Sequence, residues 1–310
     1  MPDNIERSAM KVLITGSQGL IGRHLAPALI EAGIEVVAFD KLLSDSDDRP
    51  FDTRNRDQVA AAIAGCRGVV HLAAVSRVVW CERDPELCQQ VNVEGTRNVY
   101  DAVMASDHRP FVLFASSREA YGSPTSMPVS EDCPLVPCNV YGRSKLEGEL
   151  LTKAISAAGV TTSILRFSNV YGCTADHVDR VIPAFARQAA RGGAIYIEGS
   201  QCVFDFTHVH DVVSSIVQAV LQLADGRSLP AMHLASGTGT SLGQLAQLAL
   251  DASGDCLDII EKPPRSFDVS HFIGDPALAT EYLDWSPHCD LATGFHRLTE
   301  DFRREDKQRV

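Results

Sequence analysis

Short apolar runs alternate with longer periodic stretches along the first half of the chain. A run of four or five apolar residues between turn-forming residues is typical of a strand buried in a parallel sheet. Apolar residues that recur every three or four positions are typical of an amphipathic helix. The predicted strands are Lys11–Thr15, Glu35–Phe39, Gly68–Leu72, Phe111–Phe114 and Thr161–Leu165, and the predicted helices are Leu20–Ala32, Val59–Ala64, Pro85–Ser106 and Tyr141–Ala158. This β-α-β order predicts an α/β fold with a Rossmann-type, doubly wound parallel sheet.

The alternation becomes less regular after about residue 170, and residues 262–290 are rich in Pro and Asp. The elements predicted there are the helices Val181–Arg191, Asp211–Leu223, Leu242–Ala252 and 291–303, and the strands Ala194–Ile197 and Met232–Ala235. We therefore predict a Rossmann domain over residues 1–170, to which residues 206–236 return. A smaller C-terminal substrate-binding lobe would comprise residues 171–205 and 237–310.

Composition narrows the classes of function. The 310 residues are ample for a buried core, and the formal net charge of -12 disfavours nucleic acid or an anionic membrane as a partner. A small anionic substrate stays compatible, because a few local arginines can bind one phosphate. The nine cysteines include no C-x-x-C pair or zinc spacing, and no apolar run approaches the length of a membrane span. The first residues, MPDNIERSAM, lack the apolar stretch expected of a signal peptide. We expect a cytoplasmic protein without a metal site.

The segment TGSQGLIG at 15–22 lies between a predicted strand and a predicted helix. Gly16, Gly19 and Gly22 would allow a tight turn close to a pyrophosphate, which the N–H groups of the helix start would bind. The spacing is G-x-x-G-x-x-G rather than G-x-G-x-x-G. Asp40 ends the next predicted strand, where its carboxylate would bind both ribose hydroxyls and repel a 2′-phosphate. This pattern favours NAD over NADP, although Asp40 alone would also fit a solvated loop.

Tyr141 and Lys145 are four residues apart, on one face of the helix that they open. An ammonium ion near a phenol lowers the phenol pKa, so Tyr141 could remove a proton from a substrate hydroxyl while hydride passes from the same carbon to NAD. Ser117 closes the preceding predicted strand and could hydrogen-bond the same oxygen. An exposed tyrosine beside a solvated lysine would give the same spacing, but the strand-to-helix context favours the catalytic interpretation.

Several motifs in order resemble the extended short-chain dehydrogenase/reductases, specifically the NAD-dependent epimerase/dehydratase family of nucleotide-sugar enzymes. The resemblance covers about residues 10–300. The matching stretches are TGSQGLIG (15–22), HLAA (71–74), NVEGTRNV (92–99), SSREAYG (116–122), YGRSK (141–145), RFSNVYG (166–172), DFTHVHDVV (205–213) and PRSFD (264–268). It implies that Tyr141 is the base, that Lys145 holds the nicotinamide ribose and that Ser117 orients the sugar hydroxyl.

The resemblance also implies the rest of the binding site. Asp52, after a third strand, would approach the adenine, and Asn92 would fix a neighbouring loop. The implied cofactor contacts are Gly16, Gln18, Gly19, Leu20, Ile21, Gly22, Asp40, Asp52, Leu72, Ala73, Ala74, Asn92, Ser116, Tyr141, Lys145 and Phe167. Asn169 would contact the substrate phosphate or sugar, Ile195 and Ile197 would flank the nucleotide base, and Arg265 would bind the pyrophosphate.

Phe204 is the first departure from the family, which has a phosphate-binding arginine at this position. Arg265 would then act alone or with Arg180, or the substrate is not a usual nucleoside diphosphate sugar. Arg77, after HLAA, could reach a substrate phosphate or carboxylate, or could cap a local loop.

The second departure is Arg118-Glu119, where the family's 4,6-dehydratases have Asp-Glu. Arginine cannot deliver the proton that this aspartate supplies, because its pKa is too high. Arg118 could instead bind a substrate carboxylate, or it could face outward. Glu119 could act as a base or be a structural hydrogen-bonding acid.

Four functions are compatible with these residues. The favoured one is an NAD-dependent nucleotide-sugar 4-epimerase that acts through a 4-keto sugar. A dehydratase, or a uronate decarboxylase or epimerase, would use the same oxidation with Glu119 and Arg118. The other two are a dehydrogenase of a small alcohol and a non-catalytic NAD-binding protein.

The resemblance further implies a homodimer. Its interface would be a four-helix bundle formed by the helices Pro85–Ser106 and Tyr141–Ala158 of each subunit. Both helices would need an outward apolar stripe besides the one that faces the sheet. Ala154, Ala157 and Ala158 are small enough to permit close packing there.

Overall fold

A parallel sheet of six strands forms the centre of the computed structural model, which describes residues 10–254, 256–263 and 269–308. The strands are β1 (Lys11–Thr15), β2 (Glu35–Phe39), β3 (Gly68–His71), β4 (Phe111–Ser117), β5 (Thr162–Phe167) and β9 (Ala231–Leu234). Their order is β2-β1-β3-β4-β5-β9, and every neighbouring pair is parallel. This arrangement confirms the predicted fold class. The strand order reverses between β1 and β3, so a ligand site is expected at their carboxyl ends.

Helices cover both faces of this sheet. One face carries α1 (Leu20–Glu31), α8 (Val209–Ala224) and α10 (Ala277–Leu283), and the other carries α2 (Arg56–Ile63), α5 (Gly95–Ala105) and α6 (Val140–Ala157). Successive residues of β1 point to opposite faces, so Val12 and Ile14 join the core under α1 and α8 while Leu13 joins the core under α5 and α6. All residues of β4 and β5 are buried, as expected for strands covered on both sides.

The predicted helix Pro85–Ser106 is interrupted. Its parts are α4 (Pro85–Cys88), a π-helical stretch (Gln89–Glu94) and α5, and a further helix, α3 (Val78–Arg83), precedes them. The break after α3 follows from Asp84, whose side chain accepts a hydrogen bond from the backbone N–H of Leu87 and so starts a new helix at Pro85. π-Helical insertions often occur near functional sites.

The third strand that the resemblance placed before Asp52 is not formed in the fully described segment 40–55, where an isolated bridge joins Ser44 to Pro50. The residues between the two ends of the bridge are DSDDR, and Asp is poorly suited to strands. β2 is therefore an edge of the large sheet.

The remaining elements form a second layer over the carboxyl ends of the strands. A small sheet contains β6 (Asn169–Tyr171), β8 (Val203–His208), β10 (Gly239–Ser241) and β12 (His271–Phe272), and a two-stranded sheet pairs β7 (Gly193–Glu198) with β11 (Leu257–Lys262). Residues of β6, β7, β8 and β11 share an apolar cluster with α7 (Val181–Arg191), α9 (Leu242–Ser253) and α11 (Leu291–Gln308). The predicted division into two lobes stays a prediction. Within the described residues, no helix is long and apolar enough to cross a membrane.

Candidate active site

A cavity of about 970 Å³ lies at the carboxyl ends of β1, β3 and β4, at the expected reversal point. It extends from the glycine loop to α7 and β7 without interruption. Most of the predicted site residues line it. They are Gly16, Gln18, Gly19, Leu20, Ile21, Gly22, Asp40, Asp52, Leu72, Ala73, Ala74, Arg77, Ser116, Ser117, Arg118, Glu119, Tyr141, Lys145, Phe167, Asn169 and Arg180. The cavity is at the upper end of typical ligand-site volumes, so it has room for a large ligand.

The glycine loop has the geometry of a phosphate-binding turn. Gly16 has φ +72°, and a Cβ there would lie 2.8 Å from the backbone nitrogen of Ala73. A Cβ on Gly22 would lie 2.4 Å from the carbonyl oxygen of Gly16, so only glycine lets α1 start this close to the turn. α1 has no side-chain cap, which leaves N–H groups of its first turn for a ligand anion.

Asp40 holds the loop from the end of β2. Its Oδ2 accepts a hydrogen bond of 2.9 Å from the backbone nitrogen of Gln18, and its Oδ1 accepts one of 3.0 Å from Leu42. Each carboxylate oxygen can accept more than one hydrogen bond. Asp40 can therefore brace the loop and still accept ribose hydroxyls.

Asn139 begins the helix that carries the candidate base. Its Oδ1 accepts a hydrogen bond of 2.7 Å from the backbone nitrogen of Gly142, which fixes the first turn of α6. One turn further, Lys145 is buried, and its Nζ donates to the carbonyl oxygen of Ala115 at 2.8 Å. Nζ lies 5.7 Å from the centre of the Tyr141 ring. Burial lowers the pKa of Lys145 to about 8.

The surroundings of Tyr141 raise the pKa of its phenol above the ordinary value. Burial raises its pKa, while the charge of Arg180 and a hydrogen bond to Ser117 act in the opposite direction. Desolvation outweighs the nearby positive charge. The lowering of the phenol pKa by the Lys145 ammonium stays a prediction.

Arg118 and Glu119 form a buried ion pair next to Ser117. Arg118 Nη2 lies 2.8 Å from Glu119 Oε1, and Asn139 Nδ2 donates to Glu119 Oε2 at 2.7 Å. Both carboxylate oxygens thus have donors. The guanidinium carbon of Arg118 lies 4.9 Å from the centre of the Phe204 ring and 5.9 Å from that of Phe272. Arg118 therefore does not face outward.

Arg77 and Arg180 join two loops at the rim of the cavity. Arg77 Nη2 lies 2.9 Å from a carboxylate oxygen of Asp179, and Arg180 Nη2 donates to Ser76 Oγ at 3.5 Å. The Nε atoms of both arginines are buried and have no hydrogen-bond partner among the described residues. Arg180 Nε also lies 3.6 Å from a carboxylate oxygen of Asp176, so an anionic ligand at either guanidinium would compete with an existing ion pair.

The structure corrects three of the predicted contacts. Ile195 and Ile197 are buried in the cluster around α7 and α9, because side chains alternate along β7, and Tyr196 lines the cavity instead. Asn92 lies behind the cavity, where its Oδ1 accepts a hydrogen bond of 2.7 Å from the backbone nitrogen of Val75 and so fixes the neighbouring loop. Arg265 lies outside the described residues.

A buried network under the site escaped sequence analysis. Arg166 donates two hydrogen bonds to Glu149, at 2.9 and 2.8 Å, and Ser116 Oγ donates to the same carboxylate at 2.6 Å. These residues join β4, β5 and α6 beneath the catalytic side chains. Their separation in the chain gives no local spacing signal, since the contact depends on the register of β4 and β5.

No cluster of potential metal ligands occurs in the described ranges.

This fold and this site define an NAD-dependent enzyme of the extended short-chain dehydrogenase/reductase type. The model of the NAD dependent epimerase/dehydratase family matches residues 12–234, and the chain belongs to that family. The match confirms the resemblance seen in the sequence.

Relatives with named activities extend the comparison over almost the whole chain. The UDP-glucose 4-epimerase of Mycolicibacterium smegmatis is 29% identical, with 96% of this chain and all of the relative covered. A structure of UDP-glucose 4-epimerase from Thermotoga maritima with UDP-glucose has a TM-score of 0.87 at 27% identity, covering 96% of this chain and 99% of that one. The structure of MoeE5 with UDP-glucuronic acid and NAD has a TM-score of 0.86 at 27% identity, covering 95% and 99%.

Proposed function

We propose that this protein is an NAD-dependent nucleotide-sugar 4-epimerase. The observation that carries the proposal is that Ser117, Tyr141 and Lys145 meet in one cavity that continues to the glycine loop. The names of the sequence relatives and structural neighbours support the same reaction.

The residues present fit NAD. The uncapped start of α1 and the glycine loop would hold the pyrophosphate, Asp40 the adenosine ribose and Lys145 the nicotinamide ribose. When bound, NAD supplies reversible hydride transfer at the C4 carbon of the sugar. Its positively charged ring would also add to the charges that lower the pKa of Tyr141.

Tyr141 would remove the proton of the C4 hydroxyl, while Ser117 positions that oxygen by a hydrogen bond. Oxidation gives a 4-keto sugar, which must present its other face before it is reduced. Tyr141 then returns the proton, so neither cofactor nor proton is consumed in the cycle. Lys145 donates to Ala115 and so holds its ammonium group at the base throughout.

Elimination is less well supported. A dehydratase or decarboxylase mechanism would use Glu119 as the base, but Arg118 and Asn139 already donate to its two oxygens. Proton abstraction would require breaking one of these contacts in a buried site. Arg77 and Arg180 line the cavity and are candidate phosphate ligands in place of the arginine that the family has at the position of Phe204.

Incubation with UDP-glucose, UDP-galactose and other UDP-, dTDP- and GDP-sugars tests the proposal. We expect the C4 epimer of at least one sugar, bound NAD that is not released between turnovers, and no product that has lost water or CO₂. A product that has lost water or CO₂, or net consumption of NAD with an alcohol or ketone, would contradict the epimerase proposal. If NAD binds but no sugar or alcohol is ever oxidised, the protein is a binding module.

We also propose a homodimer that forms through α6. The outward face of α6 carries Leu150, Ala154 and Ala157, and Leu150 is 56% exposed. The exposed residues of α5 include Arg97 and Asp101, so the apolar stripe expected on the second helix is interrupted by charge. A cytoplasmic location stays a prediction from the sequence.

A further inference from the structure

Arg118 lines the cavity and has one unused hydrogen-bonding group. Its side chain is only 10% exposed, and its Nη2 is occupied by Glu119 at 2.8 Å. Its Nη1 is buried and has no hydrogen-bond partner among the described residues. A buried cationic N–H without an acceptor is costly, so a ligand atom that accepts from Nη1 would remove an existing penalty.

The surroundings of Arg118 determine which acceptor fits. Glu119 has donors on both oxygens, from Arg118 and Asn139, whereas the buried Nη1 has no hydrogen-bond partner among the described residues. The end of the ion pair that lacks a partner is therefore its positive end. An anion at Nη1 would be closer to the guanidinium than to the Glu119 carboxylate, so net attraction remains, although it is weaker than for an isolated arginine.

Phe204 and Phe272 hold the guanidinium in place. The Phe204 ring centre is 4.9 Å and the Phe272 ring centre 5.9 Å from its central carbon. Aromatic rings near a guanidinium attract its positive charge and offer flat surfaces on which it packs. Phe204 occupies the position at which the family has an arginine. In this chain its ring packs near the guanidinium of Arg118 instead.

We propose that Arg118 binds a carboxylate on the sugar, so that the preferred substrate is a nucleoside diphosphate hexuronate. The inference rests on the proposed function. Arg118 directly follows Ser117, which is placed to bind the C4 hydroxyl, and the carboxylate of a hexuronate is attached to the adjacent carbon, C5. A neutral hexose has a hydroxymethyl group there, which leaves the charge of Arg118 without a counterpart in the ligand.

Selectivity between UDP-glucuronic acid and UDP-glucose tests this proposal. We expect the holoenzyme to have a kcat/KM for C4 epimerisation at least about tenfold higher with UDP-glucuronic acid. In Arg118→Met, this ratio should fall about 10- to 100-fold, the usual range for a charge-assisted hydrogen bond. The kcat/KM for UDP-glucose should fall by a smaller factor than that for UDP-glucuronic acid, because the neutral sugar has no carboxylate to pair with Arg118.

A double variant controls for the unpaired charge that Arg118→Met would leave in the protein interior. Arg118→Met leaves Glu119 as a buried charge, so Arg118→Met/Glu119→Gln, which removes both charges, is measured beside it. Melting temperature and NAD content establish that each variant is folded. Arg118→Lys keeps the charge without the planar fork and should retain part of the selectivity.

Binding measurements distinguish the proposed role of Arg118 from the proposed epimerase activity. Calorimetry with the Tyr141→Phe holoenzyme measures the affinities for UDP-glucuronic acid and UDP-glucose without turnover. The double variant Tyr141→Phe/Arg118→Met should show no preference for UDP-glucuronic acid. The role of Arg118 would be overturned if UDP-glucose were epimerised with a kcat/KM equal to or higher than that of UDP-glucuronic acid, and if Arg118→Met left the ratio of the two values unchanged. The epimerase proposal would then still stand. Tighter uronate binding without epimerisation of any sugar would support the role of Arg118 and overturn the epimerase.

Discussion

Tyr141 is a phenol whose pKa is raised by burial, so it depends on its neighbours to act as a base. Replacement by Phe removes the only atom that exchanges a proton with the sugar in the proposed mechanism. We expect kcat for C4 epimerisation to fall about 10²- to 10⁴-fold, the range for general acid–base catalysis. The bound NAD content, measured by absorbance after denaturation, should not change. A variant that keeps more than about a tenth of the activity would show that another group transfers the proton.

Lys145 should give the cofactor-free protein a characteristic pH dependence of stability. Burial lowers its pKa from 10.5 to about 8 in the folded state, so the unfolded chain binds the extra proton between these two values. Stability therefore rises with pH through this window, and the penalty for burying the charge is fully present below about pH 8.

The difference in unfolding free energy between wild type and Lys145→Met isolates this effect. It should rise by about 2 kcal/mol from about pH 7 to about pH 10, measured by urea denaturation of the cofactor-free proteins. Subtracting the variant cancels the tyrosines and cysteines that titrate at high pH without interacting with Lys145. A difference that is flat with pH would mean that Lys145 keeps an ordinary pKa.

Residues whose roles depend on local structure could be predicted from the sequence, and residues oriented by a strand could not. The glycines, Asp40, Tyr141 and Lys145 are recognisable because their roles depend on local turns and on helical spacing. The side of β7 that faces the cavity could not be predicted in the same way, and Ile195 and Ile197 were taken in place of Tyr196. A shift of one residue along a strand reverses which side chains point inward.

Among the elements, the glycine loop offers the sharpest test. Gly16 and Gly33 both have positive φ, +72° and +80°, but a Cβ on Gly16 would lie 2.8 Å from the Ala73 nitrogen, whereas a Cβ on Gly33 meets nothing within 4 Å. Gly16→Ala should weaken NAD binding at least tenfold, since strain of about 1–3 kcal/mol must be relieved by moving the loop.

Gly33→Ala is the matched control. It should cost about 1 kcal/mol of stability and leave the dissociation constant for NAD unchanged. Both constants are measurable by calorimetry on protein stripped of cofactor. Equal effects of the two changes on NAD binding would show that the backbone conformation, rather than the contact with Ala73, is what matters at Gly16.

The boundaries of helices and strands were predictable where they depend on nearby residues in the sequence. The apolar runs located all six strands of the large sheet, because buried parallel strands contain little else. The interruption of the helix Pro85–Ser106 was missed, although Asp84-Pro85 is a recognisable helix start. The π-helical stretch could not be inferred, since it accommodates Asn92, whose partner Val75 is distant in sequence.

At the scale of the whole molecule, α6 links catalysis to the proposed dimer. Leu150→Glu would place a charge on the outward face of this helix, and burying it in an interface is unfavourable. We expect the dimer dissociation constant, measured by sedimentation, to rise at least about tenfold. Ile30→Glu, at a residue on α1 that is 61% exposed, is the control and should leave it unchanged. A monomeric wild type would refute the dimer.

Asn139 has a consequence for how this enzyme could diverge. One amide group starts the helix that carries Tyr141 and also donates to Glu119, the partner of Arg118. A lineage that exchanges residues 118 and 119 for a new substrate would change the acceptor of that amide and disturb the catalytic helix. Substrate range and catalytic competence are thus inherited together, and relatives that differ at position 119 should carry a compensating replacement at position 139.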